Sequence, residues 1–329
     1  MRAVWLTEFG GPEVLTPGNA EDPVPGPGQV LIEVAHANLT FVETMFRATG
    51  FGPFRAALPV IPGNGVGGRI GAVGPGVDPA LVGRRVVSGT GGSGGYAERV
   101  VVDAAAPFDV PDGLPLDEAV ALLADGRTAL MLVGAAAPRP GERVLVEAAA
   151  GGVGGLLVQL ATRAGARVVA LAGGRRKTDL LRGVRRAGAP EPVATSAEVV
   201  VDYREPGWPD RVRAAVGGVD VVFDGVGGDI ARAAFELLDP GGRMVSFGLA
   251  GGSWAELPEE LAAARGVTLL RPAADPAELR ALTARALAEG AAGRLRPLIG
   301  QRFPLERAAE AHAAIESRAT IGKTLLDVG

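Results

Sequence analysis

The sequence predicts an α/β protein in which an antiparallel, barrel-like β domain is combined with a doubly wound parallel sheet. Three observations lead to this prediction. Short apolar runs divided by Pro and Gly clusters fill the chain from Arg2 to about Ala119. From Arg143 onward, apolar runs alternate with helical patterns. Within residues 143–155, one run breaks into glycines at the point where a helical pattern begins.

The first part of the chain carries short predicted strands. They are Arg2–Leu6, Gln29–Ala37, Gly67–Val73, Arg84–Ser88 and Tyr96–Val102. In the second of these, Val30, Ile32 and Val34 alternate with a second set of side chains, which indicates that one face is more protected. A helix is predicted to begin near Leu116, because a proline precedes it and two acidic residues suit its first turn.

The second part alternates strands and helices, and its strands are rich in Val and Leu, as parallel strands buried on both faces are. The predicted strands are Val144–Glu147, Val168–Ala172, Val199–Asp202, Val221–Asp224, Met244–Phe247 and Val267–Leu270. The predicted helices are Gly155–Ala164, Arg176–Ala187 and Ile230–Leu238, followed beyond the sheet by Pro276–Gly290 and Leu305–Glu316. A final strand, Gly322–Val328, is expected to return to the first domain.

Composition excludes several classes of protein. With 329 residues the chain is long enough for two domains, and with 0 Cys it has neither disulfides nor thiolate metal sites. A net charge of −4 argues against nucleic acid or an anionic membrane as a general partner. The chain start has no sustained apolar core and no apolar run is long enough to span a bilayer, so we expect a cytoplasmic protein without a membrane partner.

The glycine turn follows the pattern Ala148-x-x-Gly151-x-x-Gly154 and departs from the strict G-x-G-x-x-G of many dinucleotide folds. Glycines lack Cβ and let the backbone approach a pyrophosphate, while the new helix offers unpaired N–H groups and its positive dipole end. We interpret the turn as a nucleotide site. The alternative is a plain strand-to-helix connection.

The residues after the second predicted strand of the parallel sheet indicate which nucleotide binds. In a dinucleotide fold an acidic residue at this place would bond the 2′-hydroxyl of NAD. Here no carboxylate is present, and the cations Arg175, Arg176 and Lys177 follow. These cations favour NADPH, because they would attract its 2′-phosphate. The alternative is a solvated basic start of a helix.

Several motifs in order along nearly the whole chain carry a family resemblance. They are Pro62–Gly68, Gly94–Glu98, Asp125–Ala129, Ala148–Gly154, Val201–Arg204, Asp224–Gly228 and Gly322–Lys323. With them the chain resembles the medium-chain dehydrogenase/reductase superfamily, in its zinc-free, zeta-crystallin-like NADPH:quinone oxidoreductase branch. The resemblance implies a GroES-like catalytic domain over residues 1–119, a Rossmann NADPH-binding domain over 120–268, and a C-terminal segment, 269–329, that returns to the catalytic domain.

The resemblance also assigns cofactor contacts, with the nicotinamide in the cleft between the domains. The pyrophosphate would be held by Gly151, Gly152, Val153 and Gly154, and the 2′-phosphate side by Gly173, Tyr203 and the basic cluster with Lys177. The nicotinamide ribose and amide would lie near Thr128, Val226, Phe247 and Gly248. Lys323 is a further candidate for a contact with the cofactor. Relatives are commonly homodimers joined through the edge of the Rossmann sheet.

Departures from the family pattern indicate whether the protein binds a metal ion and which kind of acceptor it favours. Where the zinc-dependent branch has Gly-His-Glu this chain has Gly63-Asn64-Gly65, and a cysteine would stand near Thr40. With 2 His, His36 and His312, both expected to be structural, no metal site is expected. In the cleft segment the usual Asn, Asp and Tyr are replaced, by Thr40, Glu43 and Met45. The cleft loses polar groups, which favours an apolar acceptor.

Three functions are therefore left open. The first is metal-free hydride transfer from NADPH (NADP+) to a quinone, with Thr40 or Asn64 hydrogen-bonding the acceptor oxygen. Glu43 would either act on the substrate or have a structural role, by orienting Arg47 or by capping a helix. The second is reduction of the C=C bond of an enone by the same chemistry. The third, of another class, is an NADPH-binding sensor or structural protein with little turnover.

Overall fold

The computed structural model describes residues 1–52, 57–183 and 197–329. The chain divides into two units, of which the first contains a two-stranded and a seven-stranded sheet and the second a six-stranded sheet. The first unit contains residues 1–124, 283–294 and 299–329, and the second contains residues 125–282 and 295–298. Each unit is described separately below.

The strands of the described residues are numbered in chain order. They are β1 (Arg2–Leu6), β2 (Leu15–Asn19), β3 (Gln29–Leu39), β4 (Gly65–Val73), β5 (Arg85–Gly89), β6 (Arg99–Asp103), β7 (Phe108–Asp109), β8 (Arg143–Val146), β9 (Arg167–Ala172), β10 (Val199–Asp202), β11 (Val219–Asp224), β12 (Leu238–Ser246), β13 (Thr268–Leu270), β14 (Ile299–Pro304) and β15 (Lys323–Asp327).

The helices are numbered in the same way. They are α1 (Phe41–Thr49), α2 (Leu116–Ala136), α3 (Gly152–Arg163), α4 (Arg175–Leu181), α5 (Trp208–Val216), α6 (Gly228–Phe235), α7 (Glu259–Ala264), α8 (Pro276–Ala291) and α9 (Ala308–Glu316). Short 3₁₀ turns cover Pro12–Val14, Pro79–Leu81 and Leu305–Arg307.

The first unit is built on a sheet with the order β14-β15-β3-β4-β5-β7, in which β6 also pairs with β3. Its pairings are antiparallel apart from the parallel pair β14 and β15. Along β3 the side chains of Val30, Ile32 and Val34 are buried and Glu33 is exposed, as the alternation predicts. The last strand, β15, pairs antiparallel with β3, so the C-terminal segment returns to the sheet of the first unit.

Helix α1 is a correction to the sequence analysis, which predicted only strands before Leu116. It begins after Thr40, and Thr40 and Glu43 form a capping box that satisfies the first N–H groups. The helix buries Phe46 and Arg47 and ends at Gly50, whose φ of 72° lies in the left-handed region. The residues of the predicted cleft segment therefore lie on a helix.

The second unit is built on a six-stranded sheet with the order β10-β9-β8-β11-β12-β13, and all its pairings are parallel. Strand β8 buries Val144, Leu145 and Val146 completely, as a strand covered on both faces must. The next strands along the chain lie on one side of β8 and the later ones on the other side. The strand order thus reverses at β8, which confirms the predicted doubly wound α/β fold and marks the carboxyl end of β8 as the expected ligand position.

Element boundaries differ from the prediction in a few places. Helix α3 begins at Gly152, three residues before the predicted start, because the glycines themselves form its first turn. Helix α6 ends at Phe235, since Leu238 already belongs to β12. Helix α4 ends at Leu181, and residues 184–187, the end of the predicted helix, lie outside the described residues.

Helix α2 is long and apolar enough to cross a membrane by length and composition alone, with a mean hydropathy of 1.5 in its most apolar window. However, 61% of that window is buried inside the protein. Within the described ranges it is the one helix that passes this test. Its burial is typical of a core helix.

Candidate functional site

The turn after β8 has the geometry of a phosphate-binding turn. Ala148 adopts a left-handed φ of 48°, and its carbonyl oxygen accepts the N–H of Gly151 at 2.8 Å. Gly151 caps α3 without a side-chain hydrogen bond. The first N–H groups of a helix have no partner within the helix, so this N-terminus can bind an anion.

Gly154 has a packing role in this turn. A Cβ at this position would lie 2.2 Å from the carbonyl oxygen of Ala148 and 2.9 Å from the Cα of Ala149. Only glycine lets α3 approach the end of β8 this closely. Gly154 therefore sets the position of the N-terminus of α3, where Gly151 is the cap and Gly152 the first helical residue.

An open pocket of about 360 Å³ lies beside the turn in the second unit. It is lined by Ala149, Ala150, Gly151, Gly152, Gly155, Leu156, Gln159, Leu180, Leu181 and Leu298. Of the residues predicted to hold the pyrophosphate, Gly151 and Gly152 line this pocket, whereas Val153 and Gly154 do not.

The basic cluster lies where β9 leads into α4. Gly174 has a φ of 95° and caps the helix. Arg175 and Arg176 are exposed and Lys177 is half-buried. The α4 start thus presents cations beside the carboxyl edge of the sheet, where the sequence predicts the 2′-phosphate.

A neighbouring strand supplies a further cation that the sequence analysis missed. Strand β10 pairs with β9 and places Tyr203 and Arg204 over the glycine turn. A Cβ at Gly173 would lie 2.8 Å from the Tyr203 hydroxyl oxygen and 2.9 Å from Nε of Arg204. Arg204 is exposed, and it extends the basic cluster of Arg175, Arg176 and Lys177. The available signal was its position directly after a predicted strand, in the motif that already contained Tyr203.

Asp202 directly precedes Tyr203 and Arg204, and the backbone occupies one of its carboxylate oxygens. Its Oδ1 accepts the N–H of Gly174 and the N–H of Arg204, each at 2.9 Å. These bonds tie the two turns together. Asp202 thereby stabilises the backbone that positions the basic cluster.

The residues predicted near the nicotinamide lie at the ends of β11 and β12. Phe247 donates its N–H to the carbonyl oxygen of Asp224 at 2.9 Å, and a Cβ at Gly225 would lie 2.9 Å from the Phe247 ring. A Cβ at Gly248 would lie 2.8 Å from the carbonyl oxygen of Gly225. The ends of β11 and β12 thus bring together Val226, Phe247 and Gly248 at the carboxyl edge of the parallel sheet. Thr128 is half-buried on α2 and belongs to the same unit.

In the first unit, Glu43 joins two segments. Its Oε2 accepts the N–H of Thr40 at 2.6 Å and the Thr40 hydroxyl at 3.0 Å, and its Oε1 accepts the N–H of Asn64 at 2.8 Å. Burial raises the pKa of Glu43 above its usual value, and the hydrogen bonds from Asn64 and Thr40 and the charge of Lys323 act against that rise. Both carboxylate oxygens are engaged by the protein, as expected for a cap.

One sequence-based expectation about these residues changes and another stays untested. Arg47 is not oriented by Glu43, because its guanidinium bonds the carbonyl oxygen of Gly10 at 2.6 Å and forms an ion pair with Glu316. Lys323 is buried in the first unit, on β15, where its charge lowers the pKa of Glu43. A cofactor contact of Lys323 stays a prediction.

Asn64 is a polar group of this region whose side chain makes no bond to the described part of the protein. Its backbone N–H bonds Glu43 and its carbonyl oxygen accepts the N–H of Thr90 at 3.1 Å. The side-chain amide is half-buried and makes no hydrogen bond to any described residue. By contrast, the Thr40 hydroxyl donates its hydrogen to Glu43 and can only accept another bond.

Both histidines have structural partners, as expected. Nδ1 of His36 lies 2.8 Å from Oδ1 of Asp327, on the paired strands β3 and β15. Nε2 of His312 lies 3.0 Å from the hydroxyl of Tyr96. Burial, assisted by the charge of Arg47, lowers the pKa of His312 to about 3, so its imidazole is neutral at pH 7.

The donor set does not fit a tetrahedral zinc site. Among the described residues, no group of three or more His, Cys, Asp and Glu side chains is placed to hold a metal ion. Thr40 and Asn64, which stand where the zinc-dependent pattern has thiolate and imidazole, are poor ligands for zinc.

Comparisons with known proteins agree with this architecture. The family described as "Alcohol dehydrogenase GroES-like domain" matches residues 26–112, and the family described as "Zinc-binding dehydrogenase" matches residues 195–326. A probable quinone oxidoreductase of Schizosaccharomyces pombe is 35% identical over 98% of this chain and 96% of the relative.

Solved structures match over the same length. A mycobacterial protein complexed with NADPH is 34% identical, with a TM-score of 0.86, covering 99% of both chains. A structure described as an NAD-dependent alcohol dehydrogenase is 32% identical, with a TM-score of 0.85, covering 100% of both chains. On these grounds the chain belongs to the medium-chain dehydrogenase/reductase superfamily, in its zeta-crystallin-like quinone oxidoreductase branch.

Proposed function

We propose that this protein is an NADPH-dependent oxidoreductase that transfers a hydride to a quinone or a related apolar acceptor without a metal ion. The observation that carries the proposal is the basic cluster at the Gly173–Gly174 turn, formed by Arg175, Arg176, Lys177 and Arg204. A 2′-phosphate is the group of the cofactor that such cations attract. The quinone is supported by the names of the relatives.

The residues that would hold the cofactor lie along one edge of the parallel sheet. The α3 N-terminus with Gly151 and Gly152 receives the pyrophosphate through its N–H groups. The basic cluster binds the phosphate on the adenosine ribose. The Val226 and Phe247 backbones shape the space for the nicotinamide end. Zinc is not required, since hydride transfer from NADPH needs orientation and charge stabilisation only.

NADPH supplies the reducing chemistry when bound. The protein has to exclude water, orient the acceptor and donate a hydrogen bond to the oxygen on which charge develops. Asn64 is a donor of the first unit that fits this task, because its amide is half-buried and is not used by the described residues. Glu43 supports it indirectly, since its carboxylate accepts the backbone N–H of Asn64.

Replacing Asn64 with Ala is expected to lower kcat for the acceptor on the order of 100-fold, the typical cost of one donor to a developing oxyanion. The Kd for NADPH should not change, because Asn64 lies in the other unit from the basic cluster. Stopped-flow reduction and fluorescence titration measure the two quantities. A matched control is Thr40→Val, whose hydroxyl already donates to Glu43. Equal loss of kcat in both variants would contradict the assignment to Asn64.

Anaerobic mixing of the purified protein and NADPH with a panel of quinones and enones tests the reaction itself. Oxidation of NADPH by quinones supports the proposal. Reduction of C=C bonds alone would make it an enoyl or alkenal reductase. If NADPH raises the melting temperature by linkage while no acceptor oxidises it, the protein is a sensor or structural protein.

The proposal includes a cytoplasmic homodimer. Strand β13 forms an edge of the six-stranded sheet, and an edge strand offers unpaired backbone groups to a second copy. Analytical ultracentrifugation measures the mass. A monomer at all concentrations would remove this part of the proposal and leave the reaction unaffected.

A further inference from the structure

Two carboxyl groups lie side by side at the carboxyl edge of the parallel sheet. Glu147 follows β8 and Asp224 ends β11, and these strands pair with Val146 opposite Phe223. The N–H of Glu147 donates to the carbonyl oxygen of Phe223 at 3.0 Å, which extends the pairing to this level. Both side chains are 0% exposed. A buried pair of acids is costly unless something neutralises one of them.

These carboxyls hold the turn that leads into α6. The N–H of Val226 donates to Oε2 of Glu147 and to Oδ1 of Asp224, each at 3.1 Å. The N–H of Gly227 donates to Oδ1 of Asp224 at 2.8 Å. Gly227 has a φ of 77° and caps α6 without a side-chain bond of its own. The two acids therefore fix the backbone of a turn that the proposed function assigns to the nicotinamide end.

The remaining oxygen of each acid is left for a bond between the two. Oε1 of Glu147 and Oδ2 of Asp224 are buried and accept no N–H or O–H bond from any described residue. The two acids share the N–H of Val226, so their carboxyl groups lie close together. Two ionised carboxylates only accept, so a bond between them requires one shared proton.

The surroundings favour keeping that proton. Burial comes first among the causes that raise the pKa of Glu147 well above its usual value, followed by the charge and hydrogen bond of Asp224. The N–H groups of Val226 and Gly225 act in the opposite direction. The flanking strands β9 and β12 end in Leu171-Ala172 and Val245-Ser246, which carry no titratable side chain, and Asp229 in the first turn of α6 is exposed. Among these described positions no cation stands beside the acids to replace the proton.

We propose that Glu147 is a positioning residue that stays protonated at neutral pH and, by donating its proton to Asp224, holds the Val226–Gly227 turn in the shape that receives the nicotinamide end of NADPH. The inference rests on the proposed function and deepens it. Loss of the proton would leave two negative charges in a buried site, and their repulsion would displace the turn.

The first test is the Kd for NADPH as a function of pH in the wild type and in Glu147→Gln. The Gln amide is neutral at every pH, donates to Asp224 and accepts the N–H of Val226. The wild type should lose affinity at alkaline pH, by about tenfold per pH unit above the pKa of Glu147, whereas Glu147→Gln should keep its affinity. Glu147→Leu, which can neither donate nor accept, should bind weakly at every pH. Loss of affinity in Glu147→Gln equal to that in Glu147→Leu would overturn the proposal.

The second test is the pH dependence of Tm without cofactor. The folded protein keeps a proton that the unfolded chain releases above about pH 4.3. The folded state therefore binds more protons, and stability must fall as pH rises from that value through the raised pKa of Glu147. Glu147→Gln should lack this contribution, so its Tm relative to wild type should rise with pH. If Tm changes with pH equally in the wild type and in Glu147→Gln while both bind NADPH, the proposal of a shared proton is overturned and the proposed function is not. A wild type that binds no NADPH at any pH would overturn the proposed function.

Discussion

Replacing Lys177 with Glu should weaken the binding of NADPH on the order of 100-fold while NADH binding changes little. Lys177 lies in the first turn of α4, next to Arg175 and Arg176. The substitution removes a cation from the 2′-phosphate and adds an anion, and loss of one charge-assisted hydrogen bond alone costs about 1.5–3 kcal/mol. Isothermal titration with both cofactors measures the difference.

Arg213→Glu is the control for this prediction, because it changes the net charge equally at an exposed site on α5. It should leave both affinities unchanged. Arg204→Glu should show the same selectivity as the Lys177 variant, since its guanidinium lies over Gly173. Equal losses for NADPH and NADH in the Lys177 variant would mean that the basic cluster does not contact the cofactor.

Replacing Gly154 with Ala should destabilise the second unit by about 1–3 kcal/mol, as overpacking typically does, and abolish most NADPH binding. The added Cβ would meet the carbonyl oxygen of Ala148 at 2.2 Å, and this backbone atom is fixed by its bond to Gly151. Helix α3 would have to move away from the end of β8. Thermal unfolding and NADPH titration measure the two effects.

Gly155→Ala offers a matched control in the same helix. Its Cβ would come no closer than 3.6 Å, to the carbonyl oxygen of Ala149, which is an ordinary contact. Alanine is the better helix former, so Tm should be unchanged or rise, by the equivalent of about 0.5–1 kcal/mol. A Tm of the Gly154 variant as high as that of this control would show that the close approach is not needed.

The fold class could be predicted because buried parallel strands leave a strong local signal. Strand β10 was predicted with its observed bounds, Val199–Asp202, and β8 within one residue at each end. Each is a continuous run of apolar side chains that ends at a turn, so neither needs knowledge of its neighbours. The glycine turn is equally local, since Gly151 and Gly154 lie within one turn of α3.

Helix α1 was missed because its composition competes with its capping signal. Its nine residues include Phe41, Val42 and Thr44, which favour strands, and the preceding chain is rich in β structure. The Thr40 and Glu43 spacing of a capping box was present in the sequence. Tertiary packing of Phe46 and Arg47, which the sequence does not display, stabilises the helix.

The site features that escaped prediction depend on strand order. Arg204 comes near Gly173 only because β10 pairs with β9, and Glu147 meets Asp224 only because β11 pairs with β8. In the sequence the two residues of each pair stand far apart, and each follows or ends an apolar run that resembles the other runs of the sheet. The order of strands in a doubly wound sheet is set by packing of the whole unit, so local patterns do not reveal which ends become neighbours.

The most direct test of the account is a single-turnover measurement under anaerobic conditions, in which protein loaded with NADPH is mixed with a quinone in the presence and absence of a strong metal chelator. The account predicts tight binding of NADPH and the same rate of its oxidation in both mixtures, because the chain offers cations for the 2′-phosphate and the described residues offer no ligand set for zinc. Failure to bind NADPH, or loss of oxidation when the chelator is added, would contradict it.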